Sequence, residues 1–265
     1  MLLIILLNKK LINLLLSCVH HKLLIMDTTM QSRIISIEGN IGSGKSRFLS
    51  FLKEKYKANK DILFLNEPVD DWETIKDENG VTMLEKFYEN PEKYSFSFQM
   101  MAYISRLSIM LKAIETGVKF IITERCLLTD KYIFAKMLFD DGKIEKVEFD
   151  IYNKWFNQFN KYSISDLIYI KTTPEICLDR VKKRSRAGED HIPLEYLKKC
   201  NTYHNNYIQD LKSNNNISII INNGNIDIDK LDYNLYQDWS KYIDNLLNNE
   251  IVYEPKVIRD SLKLI

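Results

Sequence analysis

The sequence predicts a three-layer α/β fold on a five-stranded parallel sheet, and three observations carry that prediction. Five short apolar runs, rich in β-branched residues and free of polar alternation, recur along the chain, as strands buried on both faces do. The stretches between them are long enough for crossover helices. Only 8 Gly and 5 Pro occur in 265 residues, too few turn formers for a sandwich of hairpins, so helices must make the connections.

The strands are assigned to Ile34–Glu38 (IISIE), Ile62–Asn66 (ILFLN), Phe120–Glu124 (FIITE), Leu167–Lys171 (LIYIK) and Ile217–Ile221 (ISIII). Helices are expected over Ser46–Lys57, Val81–Glu89, Ser95–Thr116, Asp130–Phe139, Glu145–Lys161, Pro174–Lys183, Pro193–Ser213 and Asp229–Asn249. The Asn-rich patches at Ser213–Asn216 and Asn222–Asn225 read as loops. No repeat or linker divides the chain, so one domain is expected over residues 31–250, with a tail at 251–265.

Residues 1–30 read separately. They carry Lys9, Lys10 and Lys22 and no acidic residue before Asp27. Asn8, Lys9, Lys10 and Asn13 break the apolar run well short of the ~20 residues a membrane span needs, so no stable span is expected. The run is apolar from Met1, unlike a secretory signal, and has no Arg, unlike most transit peptides. We read it as an extension outside the fold, or as an upstream start with the working protein beginning near Met26 or Met30. The expected location is cytoplasmic, with mitochondrial import as the alternative.

Composition excludes several classes. With 37 Lys+Arg against 36 Asp+Glu the net charge is +1, so no global basic excess drives nucleic-acid binding and no acidic excess favours disorder. Hydrophobic residues make up 45% of the chain, enough for a substantial core. Cys18, Cys126, Cys177 and Cys200 form no CxxC pair, and His20, His21, His191 and His204 form no HExxH. Neither a disulfide framework nor a protein-ligated structural metal is expected.

The strongest chemical signal is GNIGSGKS, Gly39–Ser46, which fits G-x-x-x-x-G-K-[ST] directly after the first strand and at the opening of a helix. Gly39, Gly42 and Gly44 allow the backbone N–H groups of this loop, through Asn40, Ile41 and Ser43, to converge on phosphate oxygens. The helix N-terminus adds positive potential, Lys45 reaches terminal phosphates and Ser46 offers a hydroxyl to Mg²⁺. Ligands of open parallel sheets sit beyond the carboxyl ends of the strands. There the second strand leads into Glu67-Pro68-Val69-Asp70-Asp71-Trp72 and the third into Glu124-Arg125. One such carboxylate can take a proton from a bound alcohol and another can position Mg²⁺. The basic stretch from Arg180 through Arg184 and Arg186 to Glu189 reads as a lid whose arginines close over a transferring phosphoryl group.

From about Arg33 to Asn249 the chain resembles the deoxyribonucleoside kinases of the deoxycytidine, deoxyguanosine and deoxyadenosine kinase type. The motifs are IEGNIGSGKS, EPVDDW, YENPEKYSFSFQ, ERCLLTDKYIFA and RVKKRSRAGEDHIPLEYL, in that order. The resemblance implies a P-loop kinase fold with an Arg-rich lid, ATP or another nucleoside triphosphate as donor, Mg²⁺, a deoxynucleoside acceptor and a homodimer. It also implies roles. Glu67 is expected as the general base on the 5′-hydroxyl with Arg125 as its partner, and Glu124 with Ser46 as the Mg²⁺ site. Arg180, Arg184 and Arg186 are expected in the lid, Tyr88 and Glu189 on the 3′-hydroxyl, and Trp72, Phe98 and Phe134 around the base.

Gln99 and Arg106 lie seven residues apart, two helical turns on nearly one face, so both can address one ligand. The Gln99 amide offers a donor and an acceptor to an amidine-like base edge. In the resembled family the positions of Arg106 and Asp130 form an ion pair where purines or cytosine are preferred over thymine, and we expect that preference. Two departures stand out: Cys126 replaces a usual Ser, and Asn222-Asn223-Gly224 stand where relatives place an acid near the donor base. The alternatives are a nucleoside monophosphate kinase, a non-catalytic relative and a P-loop nucleic-acid binder using the basic lid. The neutral to acidic EPVDDW stretch suits an uncharged hydroxyl better than an acceptor phosphate, and the complete P-loop argues against a non-catalytic relative.

Overall fold

The computed structural model describes residues 32–186, 188–189, 192–213, 217–226 and 233–248. The expected extension at 1–30, the tail at 251–265 and the ends of the last expected helix lie outside the described residues. Five parallel strands, β1 (Arg33–Glu38), β2 (Ile62–Leu65), β3 (Phe120–Glu124), β4 (Asp166–Lys171) and β5 (Ser218–Asn223), form one sheet in the order β2-β3-β1-β4-β5. Around it lie α1 (Lys45–Lys55), α2 (Val69–Trp72), α3 (Met83–Glu89), α4 (Pro91–Glu115), α5 (Leu127–Thr129), a π-helical turn (Asp130–Ala135), α6 (Lys136–Asp140), α7 (Lys146–Phe159), α8 (Pro174–Arg184), α9 (Leu194–Ser213) and α10 (Tyr233–Leu247).

The unbroken apolar strands bury both faces, and alternate residues serve different layers. Ile34, Ile121 and Leu167 pack with Met110 of α4 and Cys200 and Ile208 of α9. Ile35, Ile37, Ile122 and Ile168 pack on the other side with Phe48 and Leu52 of α1 and Trp239 and Ile243 of α10. This is the expected three-layer arrangement. Below the sheet, Arg33 forms two hydrogen bonds to Asp166, at 2.6 and 2.7 Å, and Tyr242 donates to the same carboxylate at 2.6 Å, tying the amino ends of β1 and β4 to α10.

Several boundaries differ from expectation for identifiable reasons. The third expected helix starts at Pro91 instead of Ser95, because Pro suits the first helical position and the Asn90 side chain accepts from the Lys93 N–H. The second starts at Met83 instead of Val81, because Thr82 and Glu85 form a reciprocal capping box. β5 runs on through Asn222 and Asn223, which had read as loop. Backbone pairing to Ile170 and Lys171 carries it, and pairing needs no apolar side chain at a sheet edge. The regular helix expected over Asp130–Phe139 is a π-helical turn followed by α6, and α2 and α5 had no expectation at all.

β1 sits between β3 and β4, so the crossovers leave it in opposite directions and open a crevice at its carboxyl end. The Gly39–Ser46 loop fills one side of that crevice. Glu67, Glu124 and Arg125 enter from β2 and β3.

Candidate functional site

Two chambers meet at the end of β1. An inner cleft is lined by Glu67, Trp72, Phe98, Gln99, Arg125 and Tyr196, among others. An outer, more open groove runs along the loop past Gly44, Ser46, Arg47 and Arg180. Gly42, Lys45 and Arg184 border both.

The loop needs its glycines for steric reasons. A Cβ on Gly39 would stand 2.6 Å from the Ser43 Oγ, and one on Gly42 would stand 2.4 Å from the Cys177 carbonyl oxygen. Both residues have positive φ, at 149° and 78°, as does Gly44 at 106° where α1 begins. Lys45 is buried and donates to the Asn40 carbonyl across the loop at 2.8 Å, while Asn40 donates to the Leu197 carbonyl at 2.8 Å and anchors the loop to α9. Burial, with Arg125 nearby, lowers the Lys45 amine to about 8. The Ser43 hydroxyl is buried and has no partner among the described residues. The Ser46 hydroxyl donates to Glu124 Oε1 at 2.7 Å at the lip of the groove.

Glu67 is the centre of the cleft. Its Oε1 accepts from Arg106 Nη2 at 3.1 Å and from Arg125 Nε at 3.2 Å. Burial raises this carboxyl, but Arg125, Arg106 and Lys45 outweigh it and bring the group down to about 2, so it stays ionised at any physiological pH. Arg125 also donates to the Gly39 carbonyl at 2.8 Å and lies 4.9 Å above the Phe134 ring. It holds φ at 63°, a conformation that costs a residue with a Cβ about 1–3 kcal/mol. Arg106 is almost fully buried and donates to Asp130 Oδ2 at 2.8 Å and to the Glu124 carbonyl at 2.9 Å. Burial raises the Asp130 carboxyl and Arg106 opposes the rise.

An aromatic slot continues inward. Phe98 stacks on Phe87 at 4.5 Å and meets Trp72 edge-on at 5.6 Å, and the Trp72 indole donates to the Ser105 hydroxyl at 2.8 Å, which fixes its plane. Gln99 is buried beside it, and its Oε1, an acceptor at the cleft wall, has no partner among the described residues. The π-helical turn sets Asp130 and Phe134 into the same wall.

The basic stretch divides. Arg184 and Arg186 line the cleft and both donate to the buried carboxylate of Glu189, Arg184 through Nε at 2.9 Å and Nη2, Arg186 through Nη1 at 3.2 Å. Tyr88 lies on the same wall, its phenol raised by burial and by Glu189. Arg180 is set apart. It donates to the Ser43 carbonyl at 3.0 Å and to the Gly224 and Ile226 carbonyls at 2.8 Å, bracing the glycine loop against the end of β5.

Every other residue expected to bind or act on a ligand borders one of the two chambers or belongs to the loop, whereas Cys126 and Asn222-Asn223-Gly224 border neither. Sequence reasoning did not find Leu84, Ala102 or Tyr196. Ala102 follows Gln99 by one helical turn, a spacing that could have placed it there. It also passed over Glu38, which is 1% exposed and has no partner for its Oε2 among the described residues.

Comparisons with known proteins agree with one another. The family model for deoxynucleoside kinase matches residues 35–252. The chain is similar to deoxycytidine kinase 1 of Xenopus laevis, 36% identical over 196 residues that cover 66% of this chain and 73% of that one. It is 35% identical to deoxycytidine kinase of Homo sapiens over 204 residues, 68% of this chain and 77% of that one. Xenopus laevis mitochondrial deoxyguanosine kinase is 29% identical over 199 residues, 68% of this chain and 74% of its own.

Proposed function

The chain belongs to the deoxynucleoside kinase family, and we propose that it transfers the γ-phosphoryl group of ATP, with Mg²⁺, to the 5′-hydroxyl of a deoxynucleoside held in the inner cleft. The observation that carries this reading is the position of Glu67: an ionised carboxylate between two arginines, where the cleft with its aromatic slot meets the glycine loop.

The residues present suit the donor and the metal. The loop at Gly39–Ser46 is curled as only glycines allow, with Lys45 across it, so Gly44, Lys45 and Ser46 would hold the phosphates. Ser46 and Glu124 would hold Mg²⁺. Two protein oxygens suit this ion, which keeps several waters and shares phosphate oxygens, and no group of three or more His, Cys, Asp or Glu among the described residues could hold a metal alone. Mg²⁺ would supply charge neutralisation at the phosphates.

Glu67 orients the 5′-hydroxyl and accepts its proton. A carboxylate near 2 is a weak base, so the proton moves late, as the oxygen loses basicity on bonding to phosphorus. Arg125 steadies Glu67, and Arg184 and Arg186 stabilise charge on the transferring group once they leave Glu189. Tyr88 and Glu189 take the 3′-hydroxyl. Trp72, Phe98 and Phe134 enclose the base, and Gln99 with the Arg106–Asp130 pair favours dA, dG or dC over thymidine. The test is phosphorylation of dA, dG, dC and dT with ATP and Mg²⁺, with product identified as the 5′-monophosphate. Thymidine as best substrate by kcat/KM would overturn the base assignment.

A homodimer is part of the proposal. Val147, Ile151, Trp155 and Phe159 recur every fourth residue on α7 and are 40–59% exposed, and Ile104 and Leu111 of the adjoining α4 are 50% and 41% exposed. An exposed apolar stripe of this kind suits a second copy of the chain. Light scattering should read a dimer, and Trp155→Glu should read a monomer.

A further inference from the structure

Arg125 holds its left-handed conformation inside a cage of three bonds. Its N–H donates to the Ile37 carbonyl at 3.0 Å, its carbonyl accepts from the Thr123 hydroxyl at 2.9 Å, and the next N–H, of Cys126, donates to Glu38 Oε1 at 3.1 Å. The first two partners come from the strands themselves. The third is different, because β1 and β3 stay paired only as far as Ile37 and Glu124, and the Cys126 N–H lies past the end of that pairing. Glu38 supplies its acceptor from a buried side chain. The Ser36 hydroxyl, donating to the same Oε1 at 2.6 Å, holds that oxygen in place.

The consequence reaches the cleft through Arg125. Glu38 does not border either chamber. Yet the turn it caps sends the Arg125 side chain back over β1, where Nη1 meets the Gly39 carbonyl and Nε meets Glu67. Glu38 and Gly39 are consecutive, so the end of β1 grips Arg125 twice, at its backbone and at its guanidinium. Placing a carboxyl group in the interior is unfavourable unless its bonds matter. We propose that Glu38 is a positioning residue for phosphoryl transfer, holding the Arg125 turn that orients the guanidinium between the glycine loop and Glu67.

A double-mutant cycle on the full chain tests this, with kcat and nucleoside KM as readouts; the readout rests on the kinase reading above. Glu38→Ala should lower kcat about 30-fold or more while KM changes less than about threefold, since small misplacements of a reacting group cost rate before they cost binding. Glu38→Gln keeps the acceptor oxygen and should recover most of the rate. In an Arg125→Ala background, Glu38→Ala should lower the residual rate less than about threefold, because the group it acts through is gone. Multiplicative losses in the cycle, or an unaffected kcat in Glu38→Ala, would overturn the proposal. Should Glu38→Ala fail to fold, Glu38→Met keeps the volume without the acceptor and enters the same cycle. Should that fail too, Glu38→Gln decides alone: near-parental kcat supports the role, and a loss as large as that of Arg125→Ala overturns it. Absence of turnover in the parent protein would overturn the kinase reading and this one with it; turnover with multiplicative losses overturns this one only.

Discussion

Arg106 Nε donates to Asp130 Oδ2 at 2.8 Å, with side chains 1% and 3% exposed and 24 positions between them. The same guanidinium bonds Glu67, so one buried cation ties the base slot to the carboxylate at the reacting end.

That tie predicts a paired response. Asp130→Ala leaves a buried charge with half of its carboxylate partners and should cost about 3 kcal/mol, the low end for breaking such a pair, since Glu67 remains. Arg106→Met combined with Asp130→Ala should restore thermal stability above that of Asp130→Ala. It should also move the kcat/KM ratio toward thymidine. An unchanged ratio would separate the pair from base choice.

Glu67→Gln keeps the shape of the side chain and removes its basicity. The expected result is a kcat lower by about 10² or more with nucleoside KM within a few-fold, measured at saturating ATP. Near-normal turnover would remove Glu67 from proton transfer.

Lys45 gives opposite pH trends for stability and activity. Its amine is lowered to about 8 by burial, against about 10.4 in an unfolded chain. Between those values the unfolded chain binds more protons, so stability rises with pH from about 8 to 10.5 and is level below 8. Activity falls over the same window, because Lys45 loses the charge that phosphate needs. Lys45→Met should abolish turnover, melt no lower than the parent at pH 7 and lose the rise in stability; thermal melts from pH 7 to 10 check this. A parent whose melting point does not climb above pH 8 would contradict the assignment.

Asp166→Ala should separate stability from catalysis. It removes the buried carboxylate to which Arg33 and Tyr242 both donate, at a cost of about 3–5 kcal/mol. A chain of this size should then melt roughly 6–20 °C lower. These residues begin β1 and β4, at the opposite end of the strands from Glu67, so kcat at 25 °C should be unchanged. A matching loss of kcat would show that the two ends of the sheet are coupled.

Short-range chemistry was legible in the residues before any folding. GNIGSGKS after an apolar run, Glu67 and Glu124-Arg125 just past two others, and Gln99 seven residues before Arg106 are patterns spanning eight residues or fewer. All of them lie at the crevice, because a parallel sheet brings its strand ends to one edge. Tertiary structure alone decided the rest. The left-handed turn at Arg125 is capped by a Glu38 carboxyl that accepts from Cys126, 88 positions away, and Arg180 braces Ser43 from 137 positions away. The π-helical turn that aims Asp130 at Arg106 has no signature in its six residues. Local propensity weighs neighbours a few positions apart, whereas a buried polar atom takes whichever partner the fold brings within about 3 Å, and that choice exists only after the strands have paired.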